Sequence, residues 1–309
     1  MIDHDLARRA VLKGLVAAAA ASFARPALVR AAPPNVFVDK LAALEKASGG
    51  RLGVYAFDFN ANGGFGWRQD ERFGLCSTFK LPLCAVVLRE ADAGHLSLDE
   101  QLAYAKADLL PNSPITERNL AQGAMSIGAL AEAAQTTSDN AAANLLIRKL
   151  GGPERVTKLV RALGDPETRL DRYETMMNRV LPGEVHDTTT PRAMAETVVR
   201  LFTEDLLSKD SMQRLRGWMI ATETGKRRLR AGLPSEWTVG DKTGTAFTKA
   251  MANKTNDVAI AWMPGRASPI AVAAYYESDG FHDRIRAEDE AVLAEVGRIV
   301  GSAMAPPAV

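Results

Sequence analysis

This chain carries, in order, Ser77-Thr78-Phe79-Lys80, Ser138-Asp139-Asn140 and Lys242-Thr243-Gly244. Each motif alone is weak evidence, because three-residue patterns recur by chance in a chain of 309 residues. Together, in this order and with Glu174 and Asn178 between the second and the third, they form a strong signal. We therefore expect the three motifs to build one composite site.

The first motif pairs a hydroxyl group with an amine. On a helix, residues three apart share a face, so the Lys80 amine can reach the Ser77 oxygen. A serine becomes a good nucleophile only when a base takes its proton, and a desolvated lysine can be that base. A helix start near Ser77 adds free backbone N–H groups that favour a developing oxyanion. The alternative is a solvated helix face, but the apolar neighbours indicate a buried helix: Leu75, Phe79, Leu81 and Leu83.

The other two motifs combine structural and chemical roles. Ser138-Asp139-Asn140 alone would indicate a helix N-cap, and a cap is compatible with a catalytic role. Lys242 and Gly244 share one face of an alternating strand, and Thr243 lies on the other. Glycine at position 244 permits close backbone approach of a ligand, and the Thr245 amide can supply an oxyanion donor.

Strand patterns occur at both ends of the chain and helical patterns in the middle, which predicts an α/β (α+β) fold. We expect an antiparallel sheet flanked by terminal helices, with a mostly helical second subdomain. The sheet subdomain spans about 36–72 and 221–305, and the helical subdomain about 73–220. The predicted helices are Val36–Ala47, most of Ser77–Glu204 (including Leu130–Leu150, which stops at Gly151) and Asp283–Met304. The predicted strands are Arg51–Phe59, a second ending at Trp67, Trp237–Thr243, Asp257–Met263 and Ile270–Ser278.

The first 31 residues have the pattern of an export signal. Arg8 and Arg9 precede an apolar stretch from Gly14 to Phe23, and Ala31-Ala32 offers a cleavage site. The paired arginines favour the twin-arginine route, with an uncleaved amphipathic helix as the alternative. Elsewhere no segment has the ~20 apolar residues of a spanning helix. We expect residues 32–309 to form a periplasmic protein that does not bind the membrane after export.

Composition limits the classes of partner that the protein is expected to bind. A net charge of +1 gives no reason to expect binding to nucleic acid, so the partner is expected to be a small molecule. The four histidines are His4, His95, His186 and His282. They are scattered along the sequence, so we expect no metal and no cofactor.

The two cysteines are expected to be free thiols. Cys76 and Cys84 are separated by roughly 12 Å of helical rise. A disulfide requires Cα atoms within about 7 Å of each other. Cysteine catalysis beside Ser77 is the alternative, but no histidine lies in any of the motif regions, so a buried apolar role is favoured.

From about Ala42 to Ile299, the chain resembles a class A serine β-lactamase. The resemblance rests on the three motifs and on Arg169–Glu174 and Asp187–Pro191, which resemble the two ends of that family's Ω loop. It implies a β-lactamase/transpeptidase-like fold and a monomer. It also implies hydrolysis of the β-lactam amide of penicillins and cephalosporins through a serine acyl-enzyme, and hence antibiotic resistance.

The same resemblance assigns roles. Glu174 and Asn178 would hold the hydrolytic water, an Arg172–Asp187 ion pair would close the loop, and the backbone of Ser77 and Thr245 would form the oxyanion hole. The implied catalytic residues are Ser77, Lys80, Ser138 and Glu174. The implied substrate-binding residues are Asn140, Asn178, Lys242, Thr243, Thr245 and Arg228.

Arg228 is matched through Thr224–Pro234, which resembles a segment carrying an arginine for the substrate carboxylate. A solvated arginine is the alternative, and the side chain of Arg227 is expected to point to solvent. The chain departs from the family's usual pattern at four places: Asn112 in place of an aromatic, Thr175 in place of proline, Ala246 in place of the cysteine that pairs with Cys76 in some members, and a longer Phe247–Lys254 turn.

Two other classes of protein, with different functions, share the three motifs. A D,D-peptidase of the penicillin-binding type lacks the water-activating glutamate, so Glu174 with Asn178 argues against it. A β-lactam sensor domain acylates and stays acylated, but it normally needs a membrane tether, and no spanning segment follows the leader.

Overall fold

The computed structural model describes residues 36–305, so the predicted signal sequence lies outside the described residues. Within that range the α-helices are α1 (Val36–Ser48), α2 (Lys80–Asp92), α3 (Pro114–Arg118), α4 (Ile127–Thr136), α5 (Asn140–Lys149), α6 (Pro153–Arg161), α7 (Pro191–Thr203), α8 (Lys209–Ile220), α9 (Leu229–Gly232) and α10 (Ala287–Met304). The strands there are β1 (Arg51–Asp58), β2 (Gly63–Trp67), β3 (Phe73–Gly74), β4 (Gln101–Ala103), β5 (Ala124–Ser126), β6 (Thr188–Thr189), β7 (Thr238–Ala246), β8 (Lys254–Trp262) and β9 (Ile270–Glu277).

Strands from both ends of the chain form one five-stranded antiparallel sheet, as predicted. Its order is β2-β1-β9-β8-β7. The predicted end of β7 at Thr243 is wrong, because Thr245 pairs with Thr255 and Ala246 pairs with Lys254. The Lys242-Thr243-Gly244 motif therefore lies inside a paired strand, which fixes its direction and register.

The sheet has an apolar core on each face, as its alternating side chains require. In β8, Val258 and Ile260 join the core on the helical side. Ala259 and Ala261 belong instead to the core that includes Leu41 of α1 and residues of α10. The sheet is thus covered on both faces, and the terminal helices lie on the side away from the helical segments.

The predicted helical segment Leu130–Leu150 is two helices, because α4 ends at Thr136 and α5 begins at Asn140. Ser138 at the junction has a left-handed φ of 61°, which cannot continue an α-helix. The Asp139 carboxylate caps α5 by accepting a hydrogen bond from the Ala142 amide at 2.9 Å. The N-cap prediction is confirmed, and Ser138 is held at a fixed corner between two buried helices.

All described residues fall in one compact unit. α7 packs on β1 and β9, and α8 packs on β7, so helices from the middle of the chain cover one face of the sheet. The division into sheet and helical subdomains stays a prediction. Between residues 36 and 305, no helix is both long and apolar enough to cross a membrane.

Candidate active site

Ser77 and Lys80 lie in direct contact at the start of α2. Ser77 sits in a single 3-10 turn, Cys76–Phe79, and not in the α-helix itself. The i, i+3 spacing still brings the Lys80 Nζ to 3.0 Å from the Ser77 Oγ. Lys80 is completely buried, as its apolar neighbours predicted.

Three other groups surround the Lys80 amine. It donates to the Ser138 carbonyl oxygen at 2.9 Å and to the Asn140 Oδ1 at 2.5 Å. Its nitrogen also lies 3.0 Å from the Glu174 Oε1. The first two motifs and the predicted Ω loop therefore converge on this one nitrogen atom.

Glu174 is fixed through both its side chain and its backbone. Its Oε1 lies 3.4 Å from the Ser77 Oγ, and its Oε2 accepts from the Asn178 Nδ2 at 2.6 Å. Asn144 donates to the Glu174 carbonyl and accepts from the Glu174 amide, both at 2.9 Å. The Glu174–Thr175 peptide bond is cis. The sequence analysis missed Asn144, although an asparagine four residues after Asn140 on a buried helix shares its face.

The segment that carries Glu174 is closed by the predicted Arg172–Asp187 ion pair. The Arg172 Nε lies 2.5 Å from the Asp187 Oδ2. Asp187 also accepts from the backbone amides of Asp171 at 2.7 Å and of Arg172 at 3.0 Å. Burial raises the pKa of the Asp187 carboxyl, while these donors oppose that rise.

Lys242 is a second buried cation beside Ser138. Its Nζ donates to the Ser138 Oγ at 3.0 Å and to the Thr243 carbonyl at 2.9 Å. Burial, together with the positive charge of Lys80, lowers the pKa of Lys242 to about 7, although the charge of Asp241 opposes the shift. On the other face of β7, the Thr243 Oγ1 lies 2.6 Å from the Thr224 Oγ1.

Gly244 is required by the protein's own packing. A Cβ at this position would lie 2.9 Å from the Leu75 carbonyl oxygen and 3.0 Å from the Cys76 Cβ. The close approach predicted for a ligand is thus made here by the segment preceding Ser77. Glycine lets β7 pack directly against the turn that carries Ser77.

Arg228 is almost fully buried, with 3% of its side chain exposed, so the solvated alternative is wrong. Its Nη2 donates to the Thr245 Oγ1 at 2.7 Å, and its Nη1 donates to the Asn256 carbonyl at 2.7 Å. Arg227 is 75% exposed, as predicted, and pairs with the Glu290 carboxylate at 2.7 Å. The Arg228 cation is therefore linked to the site indirectly, by its hydrogen bond to the hydroxyl of Thr245.

Cys76 and Cys84 are free and buried, as predicted. Burial raises the pKa of each thiol to about 12, so neither is a thiolate near neutral pH. Cys76 packs against Ala246 and Met251. Its role is to fill space beside Ser77.

The sequence and the fold match those of known proteins. Residues 36–304 match the model of the Beta-lactamase enzyme family. The chain is 40% identical to the carbapenem-hydrolyzing β-lactamase KPC of Klebsiella oxytoca, over 96% of both chains. It is 43% identical to β-lactamase AST-1 of Nocardia asteroides, over 86% of this chain and 83% of the relative. A class A β-lactamase structure of the reconstructed Gram-negative ancestor is 48% identical, with a TM-score of 0.81 over 87% of this chain and all of the other.

This fold, with a serine, two buried lysines and a glutamate at one site, is that of serine enzymes that react with β-lactams. The chain belongs to the class A β-lactamases. It is a hydrolase that opens the β-lactam amide, and this activity confers antibiotic resistance.

Proposed function

We propose that this β-lactamase hydrolyses penicillins and cephalosporins through an ester formed on Ser77. The observation that carries the proposal is the position of Lys80 Nζ, 3.0 Å from both the Ser77 Oγ and the Glu174 Oε1. A nucleophile, its base and a carboxylate are thus in contact before substrate binds. General-base catalysis requires contacts of this length.

In acylation, the Ser77 Oγ attacks the β-lactam carbonyl carbon while Lys80 takes its proton. Lys80 can first pass its own proton to Glu174, which leaves a lone pair for the proton of Ser77. Ser138 gives its proton to the β-lactam nitrogen as the C–N bond breaks and is reprotonated from Lys80, 3.4 Å away. The ester C–O bond replaces the amide C–N bond, and the net transfer is of one proton from Ser77, through Lys80 and Ser138, to the β-lactam nitrogen.

The backbone amides of Ser77 and Thr245 are proposed to stabilise the carbonyl oxyanion. Their proximity is supported by Gly244, which lets β7 pack against Leu75 and Cys76. Two fixed N–H donors need no reorganisation when the charge develops, which is the main source of such stabilisation.

In deacylation, Glu174 and Asn178 are proposed to hold the attacking water. After acylation the Glu174 proton returns to Lys80, 3.0 Å away, which leaves Glu174 as a carboxylate. Glu174 then takes one proton from the water as the water oxygen bonds to the ester carbon. The ester C–O bond breaks, and Ser77 recovers that proton from Glu174. The contacts of Asn144 and Asn178 with Glu174 support this role, because a general base must be held in place.

The substrate carboxylate is proposed to bind to Lys242 and to the hydroxyls of Thr243 and Thr245. Arg228 supports this site from behind Thr245. Asn140 uses its Oδ1 for Lys80 and one Nδ2 proton for the Pro111 carbonyl. Its second Nδ2 proton is proposed to bind the substrate.

Export to the periplasm by the twin-arginine route, action as a monomer and the absence of nucleic-acid, membrane and metal partners are part of the same proposal. The paired arginines near the N-terminus support export, and a net charge of +1 supports the absence of nucleic-acid partners. The sheet and helical subdomains are also proposed with the boundaries given above.

The decisive experiment mixes the purified protein with a chromogenic cephalosporin and counts turnovers per molecule. Many turnovers are expected, together with a covalent adduct that Ser77→Ala abolishes and that Ser97→Ala, a surface control, retains. Slow reaction of one equivalent of cephalosporin per protein molecule, without further turnover, would indicate the sensor function. Release of D-alanine from a D-Ala-D-Ala peptide, without β-lactam turnover, would indicate the D,D-peptidase.

A further inference from the structure

We propose that Asn112 is a positioning residue for acylation, because it holds Ser138 and Asn140 where they contact Lys80. The inference rests on the function proposed for Ser77, Lys80 and Ser138. It assigns no contact with substrate to Asn112.

Asn112 contacts both ends of the Ser138-Asp139-Asn140 motif. Its Nδ2 donates to the Ser138 carbonyl oxygen at 2.9 Å. Its own carbonyl accepts from the Asn140 amide at 2.9 Å. A single residue thus fixes the backbone on either side of the Asp139 cap.

The Ser138 carbonyl is shared by two donors. It accepts from the Asn112 amide and from the Lys80 Nζ, each at 2.9 Å. A carbonyl oxygen has two lone pairs, so both bonds can form together. The Asn112 bond therefore orients the acceptor that helps to hold Lys80 beside Ser77.

Neighbours of Asn112 hold the same motif. The Asn140 Nδ2 donates to the Pro111 carbonyl at 2.7 Å, which presents the Asn140 Oδ1 to Lys80. The Ala141 amide donates to the Ser113 Oγ at 3.1 Å. The loop from residue 111 to residue 113 therefore sets two of the five oxygen atoms within 3.4 Å of the Lys80 amine, those of the Ser138 carbonyl and the Asn140 amide.

Backbone conformation favours asparagine at this place. Asn112 has φ of 59° and Ser138 has φ of 61°, both in the left-handed region. Asparagine tolerates this region better than most side chains, and its short amide can form local hydrogen bonds there. An aromatic side chain, expected here from the family resemblance, could not make the amide contact with Ser138.

The test compares Asn112→Asp and Asn112→Gly with the intact full-length enzyme. Both variants remove the Nδ2 donor, and both tolerate positive φ, so the backbone contact with Asn140 is retained. Asn62→Asp is the matched control, because Asn62 is also left-handed, at φ of 46°, and lies in the β1–β2 connection. Acylation is followed by stopped-flow with a chromogenic cephalosporin, and deacylation by decay of the adduct mass.

We expect acylation to slow roughly three- to tenfold in both Asn112 variants, the factor that one net hydrogen bond represents. Deacylation should stay within about twofold, because Glu174 is held by Asn144 and Asn178. Asn62→Asp should leave both rate constants unchanged. Melting temperatures are measured alongside the rates to confirm folding.

Three results would overturn the positioning role: no change in acylation, an equal loss in both steps, or a loss in Asn112→Asp alone, which would reflect only the added charge. The failure of the proposed function looks different. In that case, the unmodified protein itself would form no adduct on Ser77.

Discussion

The Lys80 Nζ and the Glu174 Oε1 lie 3.0 Å apart, and neither side chain is exposed to solvent. A buried ion pair adds little net stability, because desolvation offsets most of the attraction between its charges. Removing one partner is nevertheless costly, since the other charge stays buried. This pair is also in contact with the proposed nucleophile, because the Lys80 Nζ lies 3.0 Å and the Glu174 Oε1 lies 3.4 Å from the Ser77 Oγ.

Replacing Glu174 should separate the two halves of the reaction. We expect Glu174→Ala to acylate but to release product at least a hundredfold more slowly, because the base that activates water is gone. The adduct should then accumulate and be visible by intact-mass measurement after mixing with a penicillin. Lys80 keeps the oxygens of Ser138 and Asn140 as partners, so the variant should fold.

Glu184→Ala is the matched control for that experiment. Glu184 lies in the same Ω segment, the proposed Ω loop from Arg169 to Pro191. It accepts from the Leu181 amide and is 3.4 Å from the Arg172 Nη1. It does not contact Lys80 or Ser77. Unchanged steady turnover by Glu174→Ala would move the water-activating role elsewhere and favour the peptidase interpretation.

Asp187→Asn should loosen the Ω segment. Asparagine can still accept from the backbone amides of Asp171 and Arg172, so the variant loses the negative charge opposite Arg172 and the acceptor of the Arg172 Nε hydrogen bond. With Arg172 one-quarter exposed, we expect a loss of about 1–3 kcal/mol, below the range for a fully buried pair. Deacylation should slow, and relative activity should shift toward bulky cephalosporins.

The control for Asp187→Asn is Asp58→Asn. Asp58 also faces an arginine, with 2.7 Å between its Oδ1 and the Arg266 Nη2, but it lies at the end of β1. The Asp58→Asn variant should have a slightly lower melting temperature and an unchanged substrate preference. If Asp187→Asn changes neither stability nor preference, the assignment of the Ω segment is wrong.

The sequence predicted which residues the structure brings together better than it predicted the contacts and backbone conformations that position them. Three motifs with intrinsic chemistry identified Ser77, Lys80, Ser138 and Lys242, because a buried amine or hydroxyl requires a partner. Asn144 was missed, since an asparagine inside an Ala/Leu-rich helix has no signal of its own until its partner, the backbone of Glu174, is known.

Local conformation explains the other misses. The N-cap pattern of Ser138-Asp139-Asn140 marks the place of the helix break, but the left-handed φ of Ser138 that divides Leu130–Leu150 into two helices has no sequence signal of its own. The end of β7 and the contact of Gly244 depend on strands and turns distant in sequence. Tertiary contacts of this kind override local propensity.

Lys242 should make substrate capture depend on pH near neutrality. Its folded pKa is about 7, far below its ordinary 10.5, so the buried cation loses its charge as the pH rises through about 7. We expect KM for a penicillin to rise above that pH while kcat changes less, because bound carboxylate favours the charged lysine. The unfolded chain keeps this proton up to its ordinary pKa, so this group's contribution to stability rises with pH between the two values.

Steady-state kinetics from about pH 5 to 9 provide the measurement. Lys242→Arg should abolish the alkaline rise in KM, because a guanidinium stays charged throughout that range. Lys226→Arg, at an exposed position, should leave the profile unchanged. A KM that is flat across the range in the unmodified enzyme would contradict the assignment.

Comparing Arg228→Ala with Arg227→Ala tests which of these arginines supports binding of the substrate carboxylate. The Arg228 guanidinium bonds to Thr245 and to the backbone of β7 and β8, whereas Arg227 is 75% exposed. A charge-assisted hydrogen bond contributes roughly 1.5–3 kcal/mol, so Arg228→Ala should lower kcat/KM on penicillins about ten- to a hundredfold. Arg227→Ala should lose little, since exposed ion pairs contribute about 0–1 kcal/mol.

The burial of Arg228 adds a second readout to that comparison. Its removal leaves the carbonyls of Gly244 and Asn256 without this donor, so a lower melting temperature is expected with the loss of activity. Arg228→Lys separates the two effects, because it keeps the charge but lacks the planar guanidinium that donates to four acceptors, on Gly244, Thr245, Asn256 and Glu290. Recovery of most kcat/KM by lysine, with stability still low, would show that the charge acts on the substrate. If Arg227→Ala is the impaired variant, the alignment of Thr224–Pro234 is displaced by one residue and the anchor must be reassigned.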